Sequence, residues 1–353
     1  MNADFTKKLL LWNLKQNKRR MPWKGEKDPY KIWLSEIILQ QTRVEQGLSY
    51  YNSFIKEFPT INHLAKASQN KIFKLWEGLG YYARCRNHIE TAHKIVNDYK
   101  GKFPASYNEI KELKGVGPYA AAAISSFAYN LPYAVVDGNV IRVLSRYFGI
   151  STPVNYSKGK KIYAEIAQSL MPKKSAGIYN QAIMDFGAVI CKPRNPLCAE
   201  CPQKKDCQAF QNGWINILPI KEKVIGKKKR WFYYFILELK QTVYIRQRKT
   251  KDIWQNLYEF VLFESNSEIN GKELLHSDFI LELLGAQKMT ITTASSIFKQ
   301  QLTHQSIRAQ FITLRIKKET PELKRQYLAI EKKQLDQFPF PKIITSFLHR
   351  ITP

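Results

Sequence analysis

The sequence has 353 residues, 44% of them hydrophobic, and its 56 Lys and Arg against 29 Asp and Glu give a formal net charge of +27. This length predicts two domains, and the hydrophobic fraction is ample for their buried cores. The positive charge is spread along the whole chain, which indicates a polyanionic partner rather than solubility alone. Nucleic acid is the favoured partner and a membrane surface is its main rival.

The N-terminal stretch MNADFTKKLLLWNLKQNKRR has a short apolar patch, but an acidic residue precedes it and no small-residue cleavage site follows. It predicts an amphipathic helix rather than a signal peptide. No apolar run reaches the ~18 residues of a membrane-spanning helix. We therefore expect a soluble protein of the cytoplasm, associated with the nucleoid. In that reducing setting, clustered cysteines are metal ligands more often than disulfides.

Residues 28–42, DPYKIWLSEIILQQT, have the pattern of a helix. Asp28 is a candidate N-cap, Pro29 suits the first helical position, and apolar residues recur every three to four positions from Trp33 to Ile38. Connections containing Gly, Pro and Asn separate further predicted helices at 44–57, 69–77, 84–99, 107–113, 118–129, 139–147, 158–169 and 177–190. Residues 1–215 are thus predicted to form a mainly α domain.

The segment ELKGVGPYAAAAI, residues 112–124, predicts two helices joined by a tight turn. Gly115 and Gly117 permit unusual backbone angles and close approach, and Pro118 opens the second helix. Backbone N–H groups at such a turn and helix start can bind a phosphate without reading base sequence. A GVG turn on its own is a weak signal for DNA binding.

Two carboxylates have surroundings suited to the cleavage of a glycosidic bond. Such cleavage needs a proton for the leaving group and a negative charge that opposes the cation on the sugar. Glu36 lies beside the apolar face of its predicted helix, so desolvation should raise its pKa and keep it protonated. Asp137, in AVVDGNVIRVL, comes just before a predicted helix, whose N–H groups and dipole should keep it ionised. Without other evidence, a boundary glutamate and a plain N-cap aspartate are the simpler interpretations.

Four of the five cysteines lie in the segment 191–207 with the spacing C-x6-C-x2-C-x5-C, namely Cys191, Cys198, Cys201 and Cys207. Four thiolates can hold zinc or an iron–sulfur cluster. Zinc usually sits between two C-x2-C pairs, and this segment has only one. The spacing therefore favours one loop wound around a bulky group over zinc or free thiols. The cations on this loop would either contact phosphates or form an ordinary solvated surface.

Residues 216–230 are predicted to be a linker, because the charged run KEKVIGKKKR has no periodicity. After it the hydrophobic period changes to two, and strands are predicted at 231–239, 242–248, 258–264 and 308–316. Residues 271–284 and 341–349 have a helical pattern. Residues 231–353 are thus predicted to form an α+β domain, and the chain has no internal repeat.

Five motifs resemble the MutY-type adenine DNA glycosylases: MPWKGEKDPYKIWLSEIILQQTRVEQ, WEGLGYYARCRN, LKGVGPYAAAAISSFAY, VVDGNVIRVLSR and QAIMDFGAVIC. Together with the cysteine loop they resemble, over residues 15–210, the helix-hairpin-helix, endonuclease III-like superfamily. The resemblance implies a mainly α glycosylase domain that binds double-stranded DNA and carries a [4Fe–4S] cluster on the four cysteines. It implies that Glu36 protonates adenine, that Asp137 stabilises the sugar cation, and that Tyr119 and Asn139 support them.

The same resemblance assigns residues that recognise the mismatch. Enzymes that act on a base flip it out of the duplex, and other side chains fill the gap. Gln41 and Tyr81 are expected to enter the duplex, and Gln181 is expected to contact the flipped adenine. The pocket wall is expected to be formed by Arg19, Met21 and Trp23.

The second domain resembles the Nudix-like C-terminal domain of this family. It has no R-E-x-x-E-E run that would hold magnesium, so it is predicted to recognise DNA rather than to hydrolyse a nucleotide. Where the family has a Phe-Ser-His segment against 8-oxoguanine, this chain has Leu302, Thr303 and His304. The hydroxyl and imidazole of Thr303 and His304 are kept for that contact, whereas the aromatic ring is lost.

The reaction type is predicted from Tyr119. Family members that also cut the strand place a lysine two residues after the second glycine, and a phenol at that position cannot form an imine. We therefore predict a monomeric, monofunctional glycosylase that removes adenine opposite 8-oxoguanine or guanine and leaves an abasic site. The alternatives are a bifunctional glycosylase and lyase for oxidised pyrimidines, and a non-catalytic DNA-binding module.

Overall fold

The computed structural model describes residues 2–220, 226–270 and 273–351. The chain forms two compact units, of which the first comprises Met1–Lys66 and Arg86–Lys223 and the second comprises Ala67–Cys85 and Val224–Pro353. The segment 67–85 thus groups with the C-terminal part, which the sequence pattern did not indicate. The predicted domain boundaries, with a linker at 216–230, stay a prediction, and residues 221–225 of that linker lie outside the described residues.

The helices of the N-terminal two thirds confirm the predicted pattern, with ends shifted by a few residues. They are α1 (Asn2–Lys15), α2 (Pro29–Leu39), α3 (Val44–Glu57), α4 (Ile61–Lys66), α5 (Gln69–Trp76), α6 (Tyr82–Asp98), α7 (Tyr107–Lys111), α8 (Pro118–Tyr129), α9 (Gly138–Phe148), α10 (Ser157–Leu170), α11 (Ala176–Val189) and α12 (Gln208–Gln211). The two that were not predicted, α4 and α12, are too short to show a helical period. Among the described residues, no helix has both the length and the apolar character needed to cross a lipid bilayer.

Two helices of the first unit begin at aspartates that act as caps. The Asp28 side chain accepts a hydrogen bond from the Tyr30 backbone N–H at 2.9 Å, and Pro29 occupies the first position of α2. Asp137 caps α9 in the same way. Because α2 is buried along most of its length, Glu36 is buried together with its apolar neighbours. The fold thus places one carboxyl in the interior and another at a helix start.

The core that supports α8 and α9 is built from α1, α8, α9, α10 and α11. It is aromatic and aliphatic, and its buried members include Phe5, Trp12, Ala123, Leu144, Tyr163 and Phe186. Trp12 of α1 meets Phe186 of α11 edge to face, with ring centroids 5.0 Å apart. The small residues Ala120–Ala123 are all buried, so α8 can pack close to its neighbours.

The second unit contains a mixed eight-stranded sheet. Its strands are β1 (Lys228–Leu239), β2 (Thr242–Gln247), β3 (Tyr258–Glu259), β4 (Val261–Ser265), β5 (Thr290–Ala294), β6 (Phe298–Gln301), β7 (Gln305–Arg315) and β8 (Leu328–Glu331). The central order is β3-β2-β1-β7-β5, and β4, β6 and β8 pair with β1, β7 and β2 respectively. The long strands β1 and β7 run parallel, with Tyr234 opposite Phe311, and the other pairs are antiparallel.

The four predicted strands are confirmed, although residues 258–264 divide into β3 and β4. The short strands β5, β6 and β8 were not predicted, nor was α14 (Pro321–Gln326). The single helix predicted at 271–284 is wrong over residues 273–277, since residues 273–276 form a 3₁₀ turn and α13 spans Asp278–Leu284. Residues 271 and 272 of that prediction lie outside the described residues. The break falls at Ser277, which is extended and whose hydroxyl donates to the Leu274 carbonyl at 2.6 Å. The helix predicted at 341–349 is α15 (Lys342–Ile351).

Candidate active site

A cavity of about 680 Å³ lies in the first unit. The segment before α2, the middle and end of α2, and the beginnings of α8, α9 and α11 all contribute to its wall. Nine of the residues predicted from the sequence line it, namely Arg19, Met21, Trp23, Glu36, Gln41, Tyr119, Asp137, Asn139 and Gln181. Residues separated by up to 162 positions in the chain therefore meet around one space large enough for a base.

Glu36 is the buried carboxyl of this cavity, with 6% of its surface exposed. Burial raises the pKa of Glu36 to about 7, and the nearby Asp137 carboxylate acts in the same direction. The Tyr119 hydroxyl donates a hydrogen bond to Glu36, which partly opposes this rise in pKa. At neutral pH, the protonated fraction of such a carboxyl is much larger than that of an exposed glutamate.

Asp137 lies at the start of α9 and binds three donors. Its Oδ1 accepts from the backbone N–H groups of Asn139 at 2.8 Å and Val140 at 2.7 Å, and its Oδ2 accepts from the Asn139 amide at 2.7 Å. The N–H donors expected from the sequence are thus present. Burial nevertheless outweighs them, so the pKa of Asp137 is raised rather than lowered from its ordinary value.

Arg142 joins the Asn139 amide to the cysteine loop. Its Nη2 donates to Asn139 Oδ1 at 2.8 Å and to the Gly187 carbonyl at 2.6 Å, and its Nε donates to the Cys191 carbonyl at 2.7 Å. Because the Oδ1 of Asn139 accepts from this guanidinium, its Nδ2 is turned toward Asp137. No local signal pointed to Arg142, since it is one of two arginines in α9.

Asp185 is a second charged residue that the sequence analysis missed. It lies on α11, is fully buried, and pairs with Arg19 Nη1 and Lys24 Nζ, both at 2.8 Å. Its carboxylate also accepts from the Asn17 amide at 2.9 Å and from Gln181 Nε2 at 3.1 Å. The available signal was a lone acidic residue in the apolar run of QAIMDFGA, four positions after Gln181.

The glycine turn lies beside the cavity wall rather than in it. Gly115 has φ +77°, and a Cβ added there would approach the Asn87 side chain to 2.9 Å. Gly117 is the N-cap of α8 with φ −86°, and a Cβ there meets open space. Two residues further on, Tyr119 lines the cavity.

The residues expected to enter the duplex share an unusual backbone conformation. Gln41 has φ +59° and Tyr81 has φ +51°, in the region that non-glycine residues seldom adopt. Gln41 belongs to the first unit and Tyr81 to the second. Within the second unit, the Tyr81 hydroxyl lies 2.6 Å from the Thr303 hydroxyl. Exposed His304 is anchored by its carbonyl, which accepts from the Lys228 N–H at 3.0 Å.

The four clustered cysteines line one small apolar pocket of about 30 Å³, and none of them is in a disulfide. Among the described residues, no three His, Cys, Asp or Glu side chains are arranged to hold a single metal ion. Burial raises the pKa of Cys201 to about 12 and also raises the pKa of Cys198 and Cys207. These soft donors fit an iron–sulfur group, which would deprotonate them on binding.

The buried guanidinium of Arg146 holds the cysteine loop from the inside. It donates to the carbonyls of Lys192 at 2.7 Å, Pro193 at 3.2 Å and Leu218 at 3.1 Å. Its Nη1 also lies 3.5 Å from Cys191 Sγ. A cation in this place compensates the negative charge that the four thiolates of a bound group would bring.

Comparison with protein-family models gives two matches. The model described as "HhH-GPD superfamily base excision DNA repair protein" matches residues 34–172, and the model of the NUDIX domain matches residues 233–350. The first unit therefore has the fold of a helix-hairpin-helix base excision glycosylase, and the second carries a Nudix-like domain.

Among curated proteins, the adenine DNA glycosylase of Buchnera aphidicola subsp. Baizongia pistaciae is 39% identical over 268 residues, 75% of this chain and 75% of that protein. Among solved structures, a thermostable thymine-DNA glycosylase is 32% identical with a TM-score of 0.55, covering 60% of this chain and 96% of its own. An endonuclease III in a non-covalent complex with DNA shares the fold at 18% identity, with a TM-score of 0.50, covering 59% of this chain and 94% of its own. The chain belongs to the adenine DNA glycosylase family, and it is an enzyme of base excision repair.

Proposed function

We propose that this glycosylase removes adenine paired with 8-oxoguanine, and also adenine paired with guanine, by hydrolysis alone, leaving an abasic site. The observation that carries the proposal is the meeting of Glu36, Tyr119 and Asp137 around one cavity of about 680 Å³. A recess of this kind suits a base that has been flipped out of the duplex.

Glu36 is the proposed general acid. Its raised pKa, about 7, leaves a proton available at neutral pH for a ring nitrogen of the adenine. The C1′–N9 bond then breaks, its electron pair stays on the departing base, and the sugar becomes an oxocarbenium-like cation. The carboxylate of Asp137, which the Asn139 amide holds in place, stabilises that cation. Water adds its hydroxide to C1′ and gives its remaining proton to the Glu36 carboxylate, which restores the acid, so the products are free adenine and an abasic site.

The monofunctional reaction is supported by the state of the lysines near the cavity. Lys24 and Lys27 line it, but Lys24 Nζ pairs with Asp185 at 2.8 Å and Lys27 Nζ donates to the Phe127 carbonyl at 2.9 Å. These contacts engage the Nζ of both lysines, whereas imine formation needs a free amine. The position of the lyase lysine is occupied by the Tyr119 phenol.

Recognition of the mismatch is proposed for the residues that enter or face the duplex, namely Gln41, Tyr81, Thr303 and His304. The positive φ angles of Gln41 and Tyr81 support this role, because strained backbone persists where surrounding structure and function require it. We propose that the enzyme acts as a monomer on chromosomal DNA in the cytoplasm.

The four cysteines, Cys191, Cys198, Cys201 and Cys207, are proposed to hold a [4Fe–4S] cluster. When bound, this group supplies four iron–thiolate bonds that cross-link the loop 191–207. Arg146 and the apolar side chains of the pocket would position the loop and exclude water. The purified protein should show a broad absorption band in the blue and equal amounts of iron and acid-labile sulfide, whereas zinc alone would contradict the assignment.

The function is tested by single-turnover cleavage of duplexes that differ in one pair. Adenine opposite 8-oxoguanine should be released fastest, adenine opposite guanine next, and adenine opposite thymine not at all. Strand cleavage should need added alkali, and borohydride should trap no covalent complex. Release of thymine glycol with a trapped imine would favour the bifunctional alternative, and binding without release of any base would favour the non-catalytic one.

A further inference from the structure

Asp185 supports the cavity wall from behind. Its carboxylate is fully buried and does not itself line the cavity. Three of its partners, Arg19, Lys24 and Gln181, line the cavity, and the fourth, Asn17, does not. A carboxylate offers about four lone-pair positions, so these four donors fill its capacity.

This carboxylate fixes the orientation of the Gln181 amide. A carboxylate between two cations can only accept hydrogen bonds, so Gln181 must turn its Nε2 toward Asp185, which it meets at 3.1 Å. The Oε1 at the other end of the amide accepts no hydrogen bond from a protein donor in the described residues. Because Gln181 lines the cavity, its Oε1 provides a hydrogen-bond acceptor in the cavity wall.

An acceptor in the wall selects a base edge that carries a donor. The exocyclic amine of a 6-aminopurine supplies such a donor, an unsubstituted purine supplies none, and the carbonyl of a 6-oxopurine would place an acceptor against an acceptor. We propose that Asp185 is a positioning residue that holds the Gln181 carbonyl toward the cavity and thereby makes the site select 6-aminopurines. This inference rests on the proposed function, since it requires a flipped base in this cavity.

The competing explanation is that Asp185 only neutralises Arg19 and Lys24 and so maintains the fold. Loss of the carboxylate would then lower the cleavage rate of every base by the same factor. If Asp185 acts through the Gln181 amide, its loss lets the amide rotate and changes the relative rates of different bases. The ratio of rates therefore separates the two explanations.

The experiment measures single-turnover release from three duplexes that carry adenine, purine or hypoxanthine opposite the same 8-oxoguanine. Differences in the intrinsic stability of the three glycosidic bonds cancel when each variant is compared with the wild type. Asp185→Asn should lower the adenine-to-purine rate ratio at least about tenfold, the factor given by one lost hydrogen bond. Gln181→Met should lower it similarly, and Asp185→Asn should cause no further fall in the Gln181→Met background.

Asp185→Asn leaves two cations facing a neutral amide, so Asp185→Asn combined with Lys24→Met serves as the charge-balanced control. It should show the same fall in the rate ratio with less loss of thermal stability. The inference is overturned if all three bases slow by one factor, if Gln181→Met leaves the ratio unchanged, or if Asp185→Asn still lowers it in the Gln181→Met background. Failure of the wild type to release adenine from any duplex would instead overturn the proposed function.

Discussion

Glu36 and Asp137 show how two carboxyls in one cavity can take different roles. Burial raises the pKa of both, but their hydrogen-bond partners differ. Glu36 receives one hydrogen bond from the Tyr119 hydroxyl, which leaves room for its proton. Asp137 receives two backbone N–H bonds and one amide bond, and these donors favour the ionised form. The environment of Glu36 therefore suits an acid. Burial raises the pKa of Asp137 as well, but its three donors make it the better suited of the two to be the anion.

The raised pKa of Glu36 predicts a pH-dependent cost to stability. The pKa of this group is near 4.5 in the unfolded chain and about 7 in the folded protein. Its contribution to the free energy of unfolding is therefore complete below about pH 4.5 and is lost as pH rises through about 7. The loss amounts to about 3 kcal/mol. Glu36→Gln removes the titration, so urea denaturation should show it stabilised relative to wild type at pH 8.5 but not at pH 4. An equal difference in stability between Glu36→Gln and the wild type at both pH values would show that the pKa of Glu36 is not raised in the folded protein.

Removal of the Asp137 charge should stop the chemistry without preventing binding. Asp137→Asn keeps the size of the side chain but withdraws the anion that opposes the sugar cation, and such groups contribute about 100-fold or more to the rate. Single-turnover release of adenine should fall by at least that factor while the Kd for the duplex stays within about twofold. The matched control is Asp98→Asn, which removes an exposed carboxylate paired with Lys94 and should leave the rate unchanged. A near-normal rate in Asp137→Asn would remove Asp137 from the mechanism.

At the scale of elements, the turn between α7 and α8 offers a matched pair of substitutions. Gly115→Ala places a side chain at φ +77° and against Asn87, so it should destabilise the fold by roughly 1–3 kcal/mol. Gly117→Ala meets open space at an ordinary φ, so stability should stay within about 0.5 kcal/mol. Its methyl group would stand where a phosphate approaches the α8 N-terminus and should weaken duplex binding. Equal losses of stability in thermal unfolding would contradict this assignment.

Elements with a clear local signal could be predicted from the sequence. The cap at Asp28 and the apolar spacing that follows it are local features. The helix α2, and the burial of Glu36 beside its apolar face, could therefore be predicted. The strands β5, β6 and β8 contain only four or five residues each, too few for alternation to stand out. The break in the helix predicted at 271–284 depends on a hydrogen bond of Ser277 that composition does not reveal.

At the scale of the whole molecule, the features that escaped prediction depend on distant parts of the chain. Asp185 meets Arg19 across 166 positions, and Tyr81 meets Thr303 across 222. Local periodicity carries no information on such pairs. The family resemblance named Arg19, Tyr81 and Thr303, but it did not name Asp185 or either contact. The cavity itself could be predicted only as a set of residues, because its shape arises when α2, α8, α9 and α11 pack together.

The net charge of +27 predicts how the whole enzyme responds to salt. Each phosphate that a cation neutralises releases counterions from DNA, so affinity falls steeply as salt rises. If the bound enzyme contacts about six phosphates, Kd should weaken roughly a thousandfold between about 50 and 200 mM salt. A duplex with an 8-oxoguanine–adenine pair and a fully matched duplex should show similar slopes, because the electrostatic contribution is independent of base sequence. Fluorescence anisotropy titrations measure both slopes, and a flat response on either duplex would show that binding does not depend on the positive surface.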